Sequence, residues 1–170
     1  MTWSQALLKT LKQNDVRLVT YVPDNVLTPL IQGATEDNEF ISVCTTREDE
    51  ALGMVAGAWM AGMRGCVMMQ TSGFGTLPNA IASLIVPYQI PAILIVSERG
   101  TLGEFNIGQV MVSRTMRPTL DAVAMAHQTL SDEETMPFIV DRSIKQAVAT
   151  QSPVCFILSP LLTGGKVFGG

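Results

Sequence analysis

At 170 residues and 18.3 kDa the chain has the length of one globular domain, and two independent cores would be cramped in it. Hydrophobic residues make up 47%, charged ones 15%, and the mean hydropathy is +0.30, a balance that excludes a disordered chain and implies that part of the surface is covered by another chain. The net charge is -4 and the eleven Lys and Arg are scattered singly, so no basic stripe exists to track a phosphate backbone and nucleic acid is excluded as a partner.

The first residues, Met1-Thr2-Trp3-Ser4-Gln5, carry neither the basic nor the apolar region of an export signal, and Thr2 with Gln5 reads as a capping box. Trp3, Ala6, Leu7 and Leu11 follow at helical spacing, and residues 17–22 then read as a strand that stops at Pro23. A second helix is expected to start with Asn25 as N-cap, residues 39–44 form a short strand, and a helix runs over 47–62. Residues 66–71 are strand-like, Pro78 suits the first turn of a helix ending before Pro87, and 92–97 is a continuous apolar strand. No charge occurs from Gly65 to Ser97, yet Gly73, Gly75, Pro78, Pro87 and Pro91 cut this stretch into pieces too short for a bilayer; a buried centre explains it and a membrane does not.

Residues 98–116 lack a clean period and contain Gly100, Gly103 and Gly108, so a long functional loop is expected there. Helices over 118–126 and 138–150, a short strand at 128–130 and a last strand at 154–158 complete the series, and the glycine-rich end from Thr163 should fray. Strands alternating with helices call for a three-layer α/β/α fold with a parallel sheet of about six strands. The expected organisation is one domain over residues 1–165 and a flexible tail over 166–170. Cys44, Cys66 and Cys155 are far apart and flanked by apolar residues, which suits reduced core thiols in a cytoplasmic protein; with His127 alone to join them, no zinc site is expected. His127 itself reads as a histidine at a helix C-terminus, not a base, and the ten methionines as core and interface filler.

Ligands of such sheets bind outside the carboxyl ends of the strands, which draws attention to residues 23–25, 45–50, 71–79 and 98–100. Thr45-Thr46-Arg47-Glu48-Asp49-Glu50 puts three carboxylates at a helix start, where they complement the dipole and where Thr45 with Glu48, or Thr46 with Asp49, would form a capping box. That reading leaves the small-residue stripe Gly53, Gly57, Ala61 unexplained, since such residues are poor helix formers and accommodate a close neighbour or a ligand. Thr71-Ser72-Gly73-Phe74-Gly75 is either a tight strand-to-helix turn or a set of backbone N–H donors; it lacks both the dinucleotide fingerprint and the phosphate-loop Lys.

Together, Val22-Pro23-Asp24-Asn25, Arg47-Glu48-Asp49-Glu50 leading to Ala56-Gly57-Ala58, Gln70-Thr71-Ser72-Gly73-Phe74-Gly75 with Asn79, and Ile95-Val96-Ser97-Glu98-Arg99-Gly100 resemble the pyrimidine-binding domain of thiamine diphosphate enzymes. Within that family the chain is most similar to the short alpha subunits of sulfopyruvate decarboxylases and the matching half of phosphonopyruvate decarboxylases. The resemblance implies that Glu48, nine positions before Gly57, is the catalytic glutamate. A carboxyl held against the pyrimidine nitrogen favours the imino tautomer of the neighbouring amine, which then removes the thiazolium proton. It places Pro23, Thr71, Ser72, Gly73, Gly75 and Asn79 on the cofactor, and Asp24, Asn25 and Arg99 toward the substrate, a small anionic 2-oxo acid. Asn25 stands where the family often has serine and Thr71 where it has asparagine. No Gly-Asp-Gly segment with a following Asn-Asn pair is present, so Mg2+ and the diphosphate are expected on a separate beta subunit, with alpha–alpha contacts in the assembly. A subunit of another lyase or transferase on the same cofactor, or a non-catalytic scaffold subunit, are the competing expectations.

Overall fold

The computed structural model describes residues 1–166. Helix α1 (Trp3–Gln13) opens on the expected capping box: the Thr2 hydroxyl accepts from Gln5 N at 3.3 Å and the Gln5 side chain accepts from Thr2 N at 3.1 Å. Then come β1 (Val16–Tyr21), α2 (Thr28–Glu36), β2 (Ile41–Cys44), α3 (Glu48–Met60), β3 (Arg64–Gln70), and a short α4 (Thr71–Phe74). Helix α5 (Pro78–Ala80) continues into a π-helical turn (Ile81–Ile85), and β4 (Ile93–Ser97), α6 (Ile107–Ala122), β5 (Ala126–Leu130), α7 (Met136–Thr150), β6 (Val154–Leu158) and α8 (Pro160–Thr163) follow.

The six strands form one parallel sheet in the order β2-β1-β3-β4-β6-β5, as the alternating pattern requires. The central strands are buried on both faces because successive side chains enter different layers. Ile93 and Ile95 of β4 pack in the cluster with Leu7 and Leu11 of α1, Leu30 of α2 and Ile144 of α7. Leu94 and Val96 pack on the opposite face with Leu52 and Val55 of α3, Phe74, Ile81 and Leu120 of α6. The uncharged run from Gly65 to Ser97 is therefore the middle of the sheet and one of its covering layers. No helix among the described residues is long and apolar enough to cross a membrane.

Four local expectations are corrected. Asn25 caps nothing: α2 begins three residues later, because the Asp24 carboxylate takes the backbone N–H groups of Val26 and Leu27. The loop expected over 98–116 ends at Asn106, whose side chain accepts from Gly108 N and starts α6; Pro118 lies inside that helix, which buries Ser113, Met116 and Leu120. His127 belongs to β5, not to a helix end, and its Nε2 lies 3.1 Å from Asp121 Oδ1. Cys66 and Cys155 are buried, and burial pushes both thiols up to about 12, but Cys44 at the end of the edge strand β2 is exposed. Of the tail expected over 166–170, residues beyond 166 lie outside the described residues.

Candidate active site

Strands β1 and β3 are neighbours, yet the chain leaves β1 toward β2 on one side and β3 toward β4 on the other. Such a point of reversal leaves a crevice beyond the carboxyl ends of the strands. A cavity of about 390 Å³ opens there, with Pro23, Asp24 and Asn25 from the end of β1, Gln70 from the end of β3, and Arg99 and Gln109 on its wall. That volume suits a small organic acid.

Asp24 is the anchor of this wall. Its Oδ1 accepts from Val26 N at 3.1 Å, Leu27 N at 3.2 Å and the Ser97 hydroxyl at 2.9 Å. The Thr71 hydroxyl, fully buried, donates to Ser97 O at 3.1 Å and accepts from Arg99 N at 3.0 Å. The ends of β1, β3 and β4 are thus joined by one chain of hydrogen bonds through Asp24, Ser97 and Thr71. Asn25 is exposed beside it.

The segment 98–106 is held from within. Arg99 donates through Nε and Nη2 to the two carboxylate oxygens of Glu104 at 2.8 and 3.0 Å, and only 7% and 4% of the two side chains is exposed. Glu104 also accepts the backbone N–H groups of Gly100, Phe105 and Asn106. The Arg99 guanidinium, helped by the N–H groups of Asn106 and Gly100 and opposed by burial, pulls the Glu104 carboxyl down to about 2. Gly100 allows the turn: its φ is +80°, and a Cβ there would strike the Gln109 carbonyl. Beside it Glu98 pairs with Arg117 at 2.6 Å, and Arg117 also donates to Thr129.

The three carboxylates at the start of α3 are not equivalent. Asp49 accepts from Arg47 Nε at 2.9 Å and Glu50 accepts from Thr46 N at 3.0 Å, so neither expected capping box forms. Glu48 is half-buried and has no hydrogen bond or ion pair with any described residue. Its carboxyl group lies on Gly73: a Cβ at that glycine would stand 2.7 Å from Glu48 Cδ and closer still to Oε1. Ser72 and Gly75 belong to the same α4 turn, whereas Asn79 is exposed in α5, with its carbonyl accepting from Ser83. The expected catalytic Glu48 and the expected cofactor residue Gly73 are brought into contact, and Thr71 is buried and bonded to Ser97 and Arg99; Pro23 lies instead on the cavity wall with the residues expected toward the substrate. Apart from α3's own backbone and the adjoining residues, no atom of the described residues comes within 4 Å of where a Cβ would stand on Gly53 or Gly57, so the small-residue stripe is an open face.

Sequence reasoning missed Ser97, Glu104, Gln109 and Arg117 as parts of this arrangement. Glu104 leaves no signal in the sequence, because a partner five residues away in an irregular loop follows no period.

A doubly covered parallel sheet with its crevice at a strand reversal, and a carboxylate with no hydrogen bond or ion pair among the described residues at a helix start above a glycine, defines a small-molecule-binding α/β domain. Residues 1–127 match the model for the thiamine pyrophosphate enzyme N-terminal TPP binding domain, and the chain belongs to that family, whose cofactor is thiamine diphosphate. It is 40% identical to sulfopyruvate decarboxylase subunit alpha of Methanocaldococcus jannaschii over 121 residues, 71% of this chain and 72% of that protein. It is 42% identical over 89 residues to phosphonopyruvate decarboxylase of Streptomyces viridochromogenes, covering 52% of this chain but 22% of that one. Among solved structures, 2-oxoglutarate:ferredoxin oxidoreductase from Magnetococcus marinus shares the fold, with a TM-score of 0.74 at 12% identity over 96% of this chain and 29% of that chain.

The residues present fit the pyrimidine half of that cofactor. A ring nitrogen that carries or shares a proton needs an acceptor, and Glu48 offers one whose oxygens accept no hydrogen bond from the described residues. The missing Cβ of Gly73 keeps open the space in which that carboxyl group sits.

Proposed function

We propose that this chain is the alpha subunit of a thiamine diphosphate-dependent 2-oxo acid decarboxylase that converts sulfopyruvate to sulfoacetaldehyde and carbon dioxide. The observation that carries the reading is Glu48: of three adjacent carboxylates it alone has no hydrogen bond or ion pair with a described residue, and it lies against the glycine of the α4 turn. The bound cofactor supplies an electron sink for the departing carboxyl group. Glu48 holds a proton at the pyrimidine nitrogen, Gly73 gives its carboxyl room, and Ser72, Gly75 and Asn79 form the rest of that side. Asp24, Asn25 and Arg99 face the substrate from the cavity wall, and Thr71, through Ser97 and Arg99 N, fixes the distance between the two groups.

Sulfopyruvate is favoured by the 40% identity to a decarboxylase subunit of matching length. Phosphonopyruvate is the second reading, since the phosphonopyruvate decarboxylase is 42% identical to this chain over a fifth of its own length. The same contrast in length supports a split enzyme, in which a beta subunit carries the diphosphate-binding half. Among the described residues no group of three or more His, Cys, Asp or Glu side chains could hold a metal ion, and this reading assigns Mg2+ to that partner. The open face of α3, with Met60 77% exposed, is the surface it assigns to subunit contacts. Residues 1–165 act as one domain built on the single sheet, and three free cysteines suit a cytoplasmic setting.

The test is carbon dioxide release by the complex reconstituted with its beta subunit, thiamine diphosphate and Mg2+, on sulfopyruvate, phosphonopyruvate and pyruvate. The expected result is the highest kcat/KM on sulfopyruvate. A preference for phosphonopyruvate would change the substrate and keep the reaction, and turnover of none of the three would contradict the reading.

A further inference from the structure

We propose that Lys166 determines specificity by receiving the anionic tail of the substrate, a sulfonate or phosphonate group, at the cavity beyond β1; this deepens the decarboxylase reading and rests on it. Three charged side chains line that cavity: Asp24, Arg99 and Lys166. The charge of Arg99 is already balanced by Glu104 in a buried bidentate pair, so Arg99 offers the cavity N–H groups but little net attraction. Asp24 repels an anion. Lys166 has no hydrogen bond or ion pair with any described residue, and is the one lining cation whose charge the described residues leave unbalanced.

Its position is built by the local fold. After β6 the Ser159 hydroxyl caps α8 by accepting from Leu161 N, Leu162 is buried, and Gly164 with φ +80° turns the chain back. Gly165 N then donates to the Thr163 hydroxyl, and the next residue, Lys166, reaches the cavity with its Nζ 5.5 Å from the centroid of the Phe105 ring. An aromatic face holds an ammonium near it without neutralising it, which leaves the three donors free for an incoming group. A sulfonate or phosphonate presents three acceptor oxygens to match them. The neighbouring wall can adapt: Gln109 Oε1 is buried and has no hydrogen-bond partner among the described residues, so a rotation of that amide on ligand entry sacrifices no bond of that oxygen.

The test uses the reconstituted complex with Lys166→Gln and Lys166→Arg. Kinetics on sulfopyruvate and on pyruvate, which lacks the anionic tail, are combined with calorimetric binding of sulfoacetate, which has the tail but no 2-oxo group. Contacts to a remote tail act on the ground and transition states alike, so they are read in KM. The expected result for Lys166→Gln is at least a tenfold rise in the ratio of the sulfopyruvate KM to the pyruvate KM and an equal weakening of sulfoacetate, with Lys166→Arg recovering most of both. An unchanged KM ratio, or sulfoacetate binding that is absent or indifferent to Lys166, overturns the inference whatever the turnover. A complex that decarboxylates nothing but binds sulfoacetate through Lys166 overturns the decarboxylase reading and upholds the anion site.

Discussion

Replacing Glu48 by glutamine is expected to lower turnover of the reconstituted complex at least a hundredfold while the chain stays folded and assembled. The expectation separates chemistry from structure because the Glu48 carboxylate has no hydrogen bond or ion pair with any described residue to lose. Glutamine has the same shape; the change removes a favourable charge at the N-terminus of α3, worth about 0.3–1 kcal/mol, and that charge's attraction to the exposed Arg47. In the proposed function, activity depends on a different property of the group, its ability to hold a proton at a ring nitrogen, which an amide lacks. Gly73→Ala probes the same placement from the other side. The added Cβ would occupy the position of the Glu48 carboxyl group, a movable side-chain end, so the fold should survive while turnover falls. Steady-state rates with circular dichroism as the folding control decide both. Near wild-type turnover of Glu48→Gln would remove Glu48 from the reaction.

Glu104→Gln is expected to cost about 3–5 kcal/mol of stability, the range for breaking a buried ion pair and leaving one charge without its partner. Arg99 is buried and its fork meets both oxygens of Glu104; glutamine would present an amide NH2 to one of the guanidinium donors. Wild-type stability should also carry a distinct acid limb. The Glu104 carboxyl titrates at about 2 in the folded chain against its ordinary 4.5. A depressed pKa of this kind contributes stability that is fully present above 4.5 and is lost as the pH falls from there through about 2. Its size is on the order of 3 kcal/mol. Denaturant midpoints of the wild type and Glu104→Gln at pH 6 and pH 3 measure both effects. The gap between the two proteins should narrow in acid, and equal midpoints at pH 6 would show that the pair does not stabilise segment 98–106.

What the sequence made legible follows the strength of its periodic signals. Strand β6 has a continuous apolar run and α7 buries Val140, Ile144 and Ala147 at helical spacing, so both were readable to within two residues. Helix α6 was not, because its first half exposes Ile107 and Met111 and buries Ser113, which inverts the expected pattern, and Pro118 suggests a start where the helix merely continues. The start of α2 depends on which of two adjacent residues, Asp24 or Asn25, turns its side chain to the backbone, and Ser97 of β4, far away in sequence, helps to decide that. At the site, the resemblance singled out Glu48, whereas charge and spacing alone could not separate it from Asp49 and Glu50. The packing shows the physical difference, since Arg47 and Thr46 engage the other two. The Arg99–Glu104 pair and the reach of Lys166 are set by the path of loops, and neither could be read before the fold.

The central claim is that thiamine diphosphate is held between Glu48 of this chain and a diphosphate-binding partner. Isothermal titration of thiamine diphosphate with Mg2+ into this chain alone, and then into its mixture with the beta subunit, tests it most directly. The account predicts saturable binding in the mixture and none to the lone chain. Tight binding to the lone chain, or none to either, would contradict it.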